Sequence, residues 1–291
     1  MTGAAEVLAL ARELLLPEQV LGPLERAVKG LPEFQVRDLA APDTAGEAWK
    51  KFAGMVPDWV QDDGMAHLAA TLSAAVYTRR NYEKHGIADE IFRSTMGCVR
   101  RFLEETHAIF GRWAYDRGFW TWRQTGCLLY RLGALEYEYC APGMGECRPE
   151  HLRGVPVLNV HIPSDAALGR EDLDRSYDQA DCFFAALAAD ICGQGRPQAM
   201  LCGSWLLSPA LDQLLLEGSS IRRFASDYVR YREDACDTEF YRWLFGSVVP
   251  LPAEDLPERT SLQRRAKSWL LAGGKIGMAC GQYMRQRNAG I

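Results

Sequence analysis

The sequence predicts an α+β protein, with a helical N-terminal region over residues 1–111 and a mixed β-sheet flanked by helices over residues 112–291. Three observations carry that reading. Apolar residues recur at helical spacing through the chain up to Gly111. Short apolar or alternating runs, the pattern of strands, cluster after Gly126. From Val155 to Leu187 a buried strand, a short loop and an amphipathic helix follow one another, with a second central strand from Ala199.

The helical part reads in order. Val7, Leu8, Ala11, Leu14 and Leu15 make one stripe, and Pro17 suits the first turn of a second helix holding Leu21, Leu24 and Val28. Thr44-Ala45-Gly46-Glu47 has the capping-box pattern and opens a helix with Trp49 and Phe52. Met65, Leu68, Leu72 and Val76 form a further stripe. A long helix is expected from Asp89 to Phe110, with Phe92, Met96, Val99 and Leu103 inward. No catalytic pattern occurs here, so this region reads as a scaffold or a lid.

Trp113, Phe119, Trp120 and Trp122 then make an aromatic knot, expected as core packing where the two parts of the chain meet. Cys127–Leu132 and Ala134–Tyr139 read as a hairpin about Gly133, and its second strand alternates Leu135, Tyr137 and Tyr139 with Glu136 and Glu138. Val155–Ile162, ended by Pro163, is the central strand. Ser164–Gly169 is the turn after it, and Leu173, Tyr177, Ala180, Phe184 and Leu187 set the following helix. Ala199–Leu207 reads as the neighbouring strand and Ser208-Pro209 as a helix start. Phe240–Gly246 reads as a further strand, Thr260-Ser261-Leu262-Gln263 as a capping box, and Ile276–Tyr283 as the last strand.

Composition narrows the classes of function. A hydrophobic fraction of 48% with 24% charged residues is that of a globular core with a solvated surface. A net charge of -5 argues against nucleic acid and against an anionic membrane surface as partners. No apolar run has the length of a membrane span, and no basic segment precedes the first apolar residues. The nine cysteines include no C-x-x-C pair, and Cys127, Cys182 and Cys202 lie in apolar runs. These features lead us to expect a reduced, cytoplasmic setting with no disulfide framework and no metal.

Tyr130-Arg131-Leu132-Gly133, Leu158-Asn159-Val160-His161-Ile162-Pro163, Ser204-Trp205-Leu206-Leu207, Thr260–Gln263 and Ala272-Gly273-Gly274-Lys275 carry a resemblance over nearly the whole chain. In this order they resemble a bacterial acyltransferase family with an N-terminal helical domain, the N-acyltransferase N-terminal domain, and a GNAT-like C-terminal domain. The resemblance implies a central strand that splays from its neighbour to admit acetyl-CoA or another acyl-CoA as co-substrate. Laid on this chain, Asn159, Val160 and Ile162 would flank the pantetheine, and Ser164, Gly169 and Arg170 the pyrophosphate. The acceptor would be a small amine. The chain departs from the pattern in its pyrophosphate loop, where the R/Q-x-x-G-x-G/A glycines reduce to Gly169 and the cation to Arg170. Glu171, Asp172 and Asp174 compete there for the field of the helix N-terminus.

Acyl transfer to nitrogen needs a base at the amine and a donor for the departing thiolate. His161, at the C-terminal end of the central strand, is the candidate base or else a core histidine. Glu136 is a second candidate, and Glu138 would hold the amine, unless the acidic face is solvated or paired with Arg131. Tyr241 is the candidate acid, with Tyr283 as the other choice. Ser204 and Trp205 would line the acceptor side. Cys202 alternates with Ser204 and invites a nucleophile role, against which stands an inert packed thiol. Two function classes follow: an acyl-CoA-dependent N-acyltransferase, or a GNAT-like binding module that has lost coenzyme chemistry.

Overall fold

The computed structural model describes residues 3–144, 148–191 and 195–284, without the side chains of 188–191. The chain divides into two compact units, Met1–Leu132 with Ala189–Gly193, and Gly133–Ala188 with Gln194–Ile291. Helices come first and the sheet second, so the chain is α+β as expected.

The first unit holds α1 (Ala4–Glu13), α2 (Glu18–Lys29), α3 (Ala45–Ala53), α4 (Trp59–Asp62), α5 (Met65–Lys84), α6 (Asp89–Met96), α7 (Cys98–Phe110), α8 (Gly118–Thr125) and β1 (Leu129–Leu132). Its hub is α5, against which α1, α2, α6 and α8 all pack. The sequence marks one stripe on α5, yet Ala69, Ala70, Ala74, Ala75, Thr71 and Ser73 are buried as well. Small side chains on the remaining faces let several helices approach one backbone. The long helix expected from Asp89 is interrupted at Gly97, which separates α6 from α7. Thr44 does not cap α3 through its side chain, and its hydroxyl donates to Asp38 O at 2.7 Å. The aromatic knot is core only in part: Trp122 packs against the buried cluster of Leu39, Trp49 and Phe52, Trp113 stacks on His107, Phe119 is exposed, and the Arg123 guanidinium lies 4.3 and 4.5 Å from the ring centres of Trp120 and Trp122.

A six-stranded mixed sheet runs in the order β1-β2-β3-β4-β6-β5, with β2 (Leu135–Cys140), β3 (Val157–His161), β4 (Met200–Ser204), β5 (Tyr228–Asp234) and β6 (Met278–Tyr283). Between β1 and β2, Gly133 adopts φ +68°, and a side chain there would press on Ser176 at 3.2 Å. β2 and β3 are antiparallel, β3 and β4 parallel, and β6 antiparallel to both β4 and β5. The parallel pair is joined through α9 (Arg170–Ile191). Tyr137, Tyr139, Tyr177 and Phe184 pack between β2 and α9, and Ser176 Oγ accepts from Leu135 N–H at 3.1 Å and meets Tyr137 OH at 2.9 Å.

Between β4 and β5 lie α10 (Leu211–Leu214) and α11 (Ser220–Ser226), and between β5 and β6 lies α12 (Ser261–Leu271). The Thr260–Gln263 capping box closes at both bonds, 3.0 and 3.1 Å. Two expected strands need correction. Tyr241–Phe245 is a single π-helical turn, because Phe240 and Phe245 bury their rings from a coil rather than alternating across a sheet. The run from Ala199 leaves the sheet at Ser204, whose Oγ accepts from Leu206 N–H at 3.1 Å and turns Trp205–Leu207 into a 3-10 helix.

Cys98, Cys127, Cys140, Cys182, Cys202 and Cys236 are not disulfide-bonded, but Cys280 is, which corrects the expectation that every thiol is reduced. Burial in an apolar strand suits a packed thiol and a disulfide equally, so the run around Cys280 could not separate them. Cys147 and Cys192 lie outside the described residues. Among the described residues no helix is long and apolar enough to cross a membrane, and no group of three or more His, Cys, Asp or Glu could hold a metal ion.

Candidate active site

The site is built on β3 and its two unequal partners. Along β2 the ladder is complete, from Cys140↔Val157 to Glu136↔His161. Along β4 it consists of Leu158↔Met200 and Asn159↔Leu201. Beyond those pairs β3 continues on β2 through Val160 and His161, while β4 continues on β6 through Cys202, Gly203 and Ser204. Each strand stays held from its outer side while the ladder between them ends, a break in the middle of the sheet that we call the wedge. Its mark in the accessible surface is Gly203, the exposed member of an otherwise buried strand.

Strand parity decides which side chains share a face. Glu136 stands opposite His161 and Glu138 opposite Asn159, so these four share the face away from Tyr137, Val160 and α9. Across the diagonal, His161 Nε2 lies 2.9 Å from Glu138 Oε2, with side chains 26% and 13% exposed. An ionised carboxylate only accepts, so in the neutral imidazole Nε2 carries the hydrogen and Nδ1 the lone pair. Glu136 is buried, so the acidic face is not a solvated one.

The remaining candidates are distributed as follows. Val160 is buried within the wedge and Ile162 is half-buried beyond it. Ser164 and Gly169 lie in the exposed turn before α9, whose first hydrogen bond runs from Leu173 N–H to Gly169 O at 3.0 Å. The N–H groups of Arg170, Glu171 and Asp172 therefore form its open end. Arg170 does not face them. Its Nη1 donates to both oxygens of Asp227 at 2.8 and 3.0 Å, and its Nε and Nη2 reach Asp174 at 3.0 and 2.8 Å. Burial raises the Asp227 carboxyl above its usual range, and the Arg170 hydrogen bond offsets this only in part.

Ser204 and Trp205 are buried, with the Ser204 hydroxyl engaged by its own turn. Tyr241 is not brought to this group; its ring packs on Phe240 and Phe245, 4.3 and 6.0 Å between centres. Tyr283 stacks on Tyr177 at 4.2 Å. Burial pushes the Cys202 thiol far up, which leaves it protonated and inert as a nucleophile. Two features escaped sequence reasoning. Asp227 carried no motif at all, while Gly203 had a usable signal, a glycine inside a strand run, which often marks close approach by a ligand.

Comparison with known proteins bears on this geometry. Residues 2–127 match the N-acyltransferase N-terminal domain, and residues 129–283 match the GNAT-like C-terminal domain. No curated protein sequence matches the chain. Among solved structures, an acyltransferase in complex with decanoyl-CoA and teicoplanin is similar at 21% identity and a TM-score of 0.75, covering 94% of this chain and 86% of that one. A mutant acyltransferase in complex with octanoyl-CoA gives the same values. An acyltransferase in complex with decanoyl-CoA gives 20% identity and a TM-score of 0.68, covering 97% of this chain and 99% of that one.

Proposed function

From the premise that the chain belongs to the family defined by the GNAT-like C-terminal domain, here joined to an N-acyltransferase N-terminal domain, we propose that it is an acyl-CoA-dependent N-acyltransferase acting on a small amine. The observation that carries the reading is the wedge that opens between β3 and β4 after Asn159↔Leu201, with His161 on its edge. A pantetheine arm carries amides that pair with strand backbone as an added strand does, and Asn159, Val160 and Ile162 flank the space it would enter. Its pyrophosphate would lie over Ser164–Arg170, against the open N–H groups of α9. The acyl-CoA molecules bound by similar acyltransferases support the choice of donor, and teicoplanin in one of them supports a small-molecule acceptor.

In the proposed reaction the neutral amine nitrogen attacks the thioester carbonyl while His161 takes one of its protons. The C–N bond forms, the C–S bond breaks with its electron pair leaving on sulfur, and the imidazolium returns that proton to the thiolate, which frees coenzyme A. Glu138 holds the imidazole in its tautomer, and together with Glu136 it gives the face the negative charge that favours a cationic amine. The Asn159 amide shares the face and would donate to the developing oxyanion. Ser204 and Trp205 would shape the acceptor side of the wedge. The competing reading, a GNAT-like module that has lost coenzyme chemistry and uses its groove for another ligand, rests on the reduced pyrophosphate loop. Calorimetric titration with acetyl-CoA and decanoyl-CoA tests the proposal, and absence of binding of both at millimolar concentration would overturn it.

A further inference from the structure

Gly203 and His161 occupy equivalent places on opposite sides of the wedge. Asn159 pairs with Leu201, and two residues onward along parallel strands lead to His161 and Gly203 on the same face. At about 3.3 Å per residue, both stand about 7 Å beyond the last pair, near the vertex of the wedge. Toward the vertex from them are Val160 and Cys202, both buried; away from it the wedge widens toward the exposed turn at Ser164. A narrow wedge selects what enters deepest. The adenine and pyrophosphate end of a coenzyme is broad and charged and stays at the wide mouth, so the thioester and its acyl group reach the level of His161 and Gly203. Every other residue of β4 is buried by its own side chain and its neighbours, and at Gly203 the floor is bare backbone.

We propose that Gly203 is the residue that sets which acyl groups this protein accepts: its missing side chain is the space through which the acyl chain passes beside His161. The inference rests on the acyl-CoA reading above and goes beyond it in assigning the acyl port to one residue of β4. Valine at this position suits a strand and fills the port, and alanine fills part of it. Neither change removes a hydrogen-bonding group, so binding of coenzyme A without an acyl group provides the internal control.

The experiment measures calorimetric affinities of the wild type, Gly203→Ala and Gly203→Val for coenzyme A, acetyl-CoA and decanoyl-CoA. Thermal melting confirms that each variant is folded. For Gly203→Val the expected result is a loss of decanoyl-CoA affinity of at least about tenfold, with coenzyme A bound within about threefold of wild type, and Gly203→Ala falls between. Equal weakening of all three ligands, or no weakening, overturns the assignment while leaving the acyl-CoA reading intact. If Gly203→Val does not fold, the same comparison on Gly203→Ala decides, by whether decanoyl-CoA weakens more than coenzyme A. A wild type that binds none of the three overturns the parent reading and the assignment together.

Discussion

His161 Nε2 and Glu138 Oε2 stand 2.9 Å apart across the diagonal of the β2–β3 ladder, a pairing fixed by the register Glu136↔His161 and Glu138↔Asn159. Two residues on one strand face and two on the next thus set an imidazole against a carboxylate. If His161 is the general base, His161→Ala should lower turnover by about 10²–10⁴ with coenzyme affinity unchanged. Glu138→Gln keeps the shape and loses the charge. A glutamine amide can present either N–H or oxygen to Nε2, so the tautomer is no longer held, and kcat should fall by about tenfold or more while KM for the acyl donor stays level. Equal loss of kcat for Glu138→Gln and for a variant elsewhere on the sheet would reduce Glu138 to a structural residue.

Cys202 lies in the same wedge and is not expected to react. Cys202→Ala should retain turnover within about threefold, since a buried protonated thiol is not a nucleophile. Native-state thiol labelling should modify the exposed Cys182 and Cys236 and spare Cys98, Cys127, Cys140 and Cys202. Loss of activity on labelling a folded protein at Cys202 would contradict both the burial and the mechanism.

Much of this arrangement was legible because periodicity reports what each element buries. The hairpin at Gly133, the central strand to His161, the amphipathic α9 and the Thr260 cap all follow from local pattern. Pattern fails where the same composition serves two geometries. Aromatic residues at 240–245 fill a core from a π-turn as well as from a strand, and Trp205–Leu207 are apolar whether extended or coiled. β5 carries no strand pattern for the opposite reason: as an edge strand it leaves Val229, Arg232 and Glu233 exposed, so no alternation survives. The wedge itself is a property of two strands, and no single-strand pattern reveals whether a neighbour pairs. The Arg170–Asp227 contact joins residues far apart in sequence and leaves no local trace.

That contact changes what is expected of Arg170. As the sole cation of its turn it was the natural partner for a pyrophosphate, but each of its three nitrogens already meets Asp174 or Asp227. Asp174 is more than half exposed, and an exposed ion pair is worth at most about 1 kcal/mol. Asp174→Asn should therefore release part of the guanidinium without harming the fold, and should tighten coenzyme A binding about two- to fivefold. Arg170→Glu sets three carboxylates together, Asp174, Asp227 and the new one. It should weaken coenzyme affinity at least about tenfold and also lower the melting temperature. If Asp174→Asn leaves the affinity unchanged, the pyrophosphate contact belongs to the backbone of α9 alone.

Asp227 and Asp212 should respond to pH with opposite signs. Burial raises the Asp227 carboxyl above its usual 3.8 despite the Arg170 bond, so the folded protein holds that proton more tightly than the unfolded chain. Its contribution to stability is fully present below pH 3.8 and is lost as pH rises through the higher folded value. The Arg230 guanidinium, bound at 2.6 and 2.8 Å, holds Asp212 below 3.8. Its contribution is present above that value and is lost as pH falls through the lower folded one. Denaturant midpoints of wild type, Asp227→Asn and Asp212→Asn, followed from about pH 3 to about pH 6, separate the two. Relative to Asp227→Asn the wild type should lose stability as pH rises across this range, and relative to Asp212→Asn it should gain. A wild type that gains on Asp227→Asn with rising pH would mean that the bond to Arg170 outweighs the burial of Asp227, and that the start of α9 is held by an ion pair strong enough to favour the ionised carboxyl.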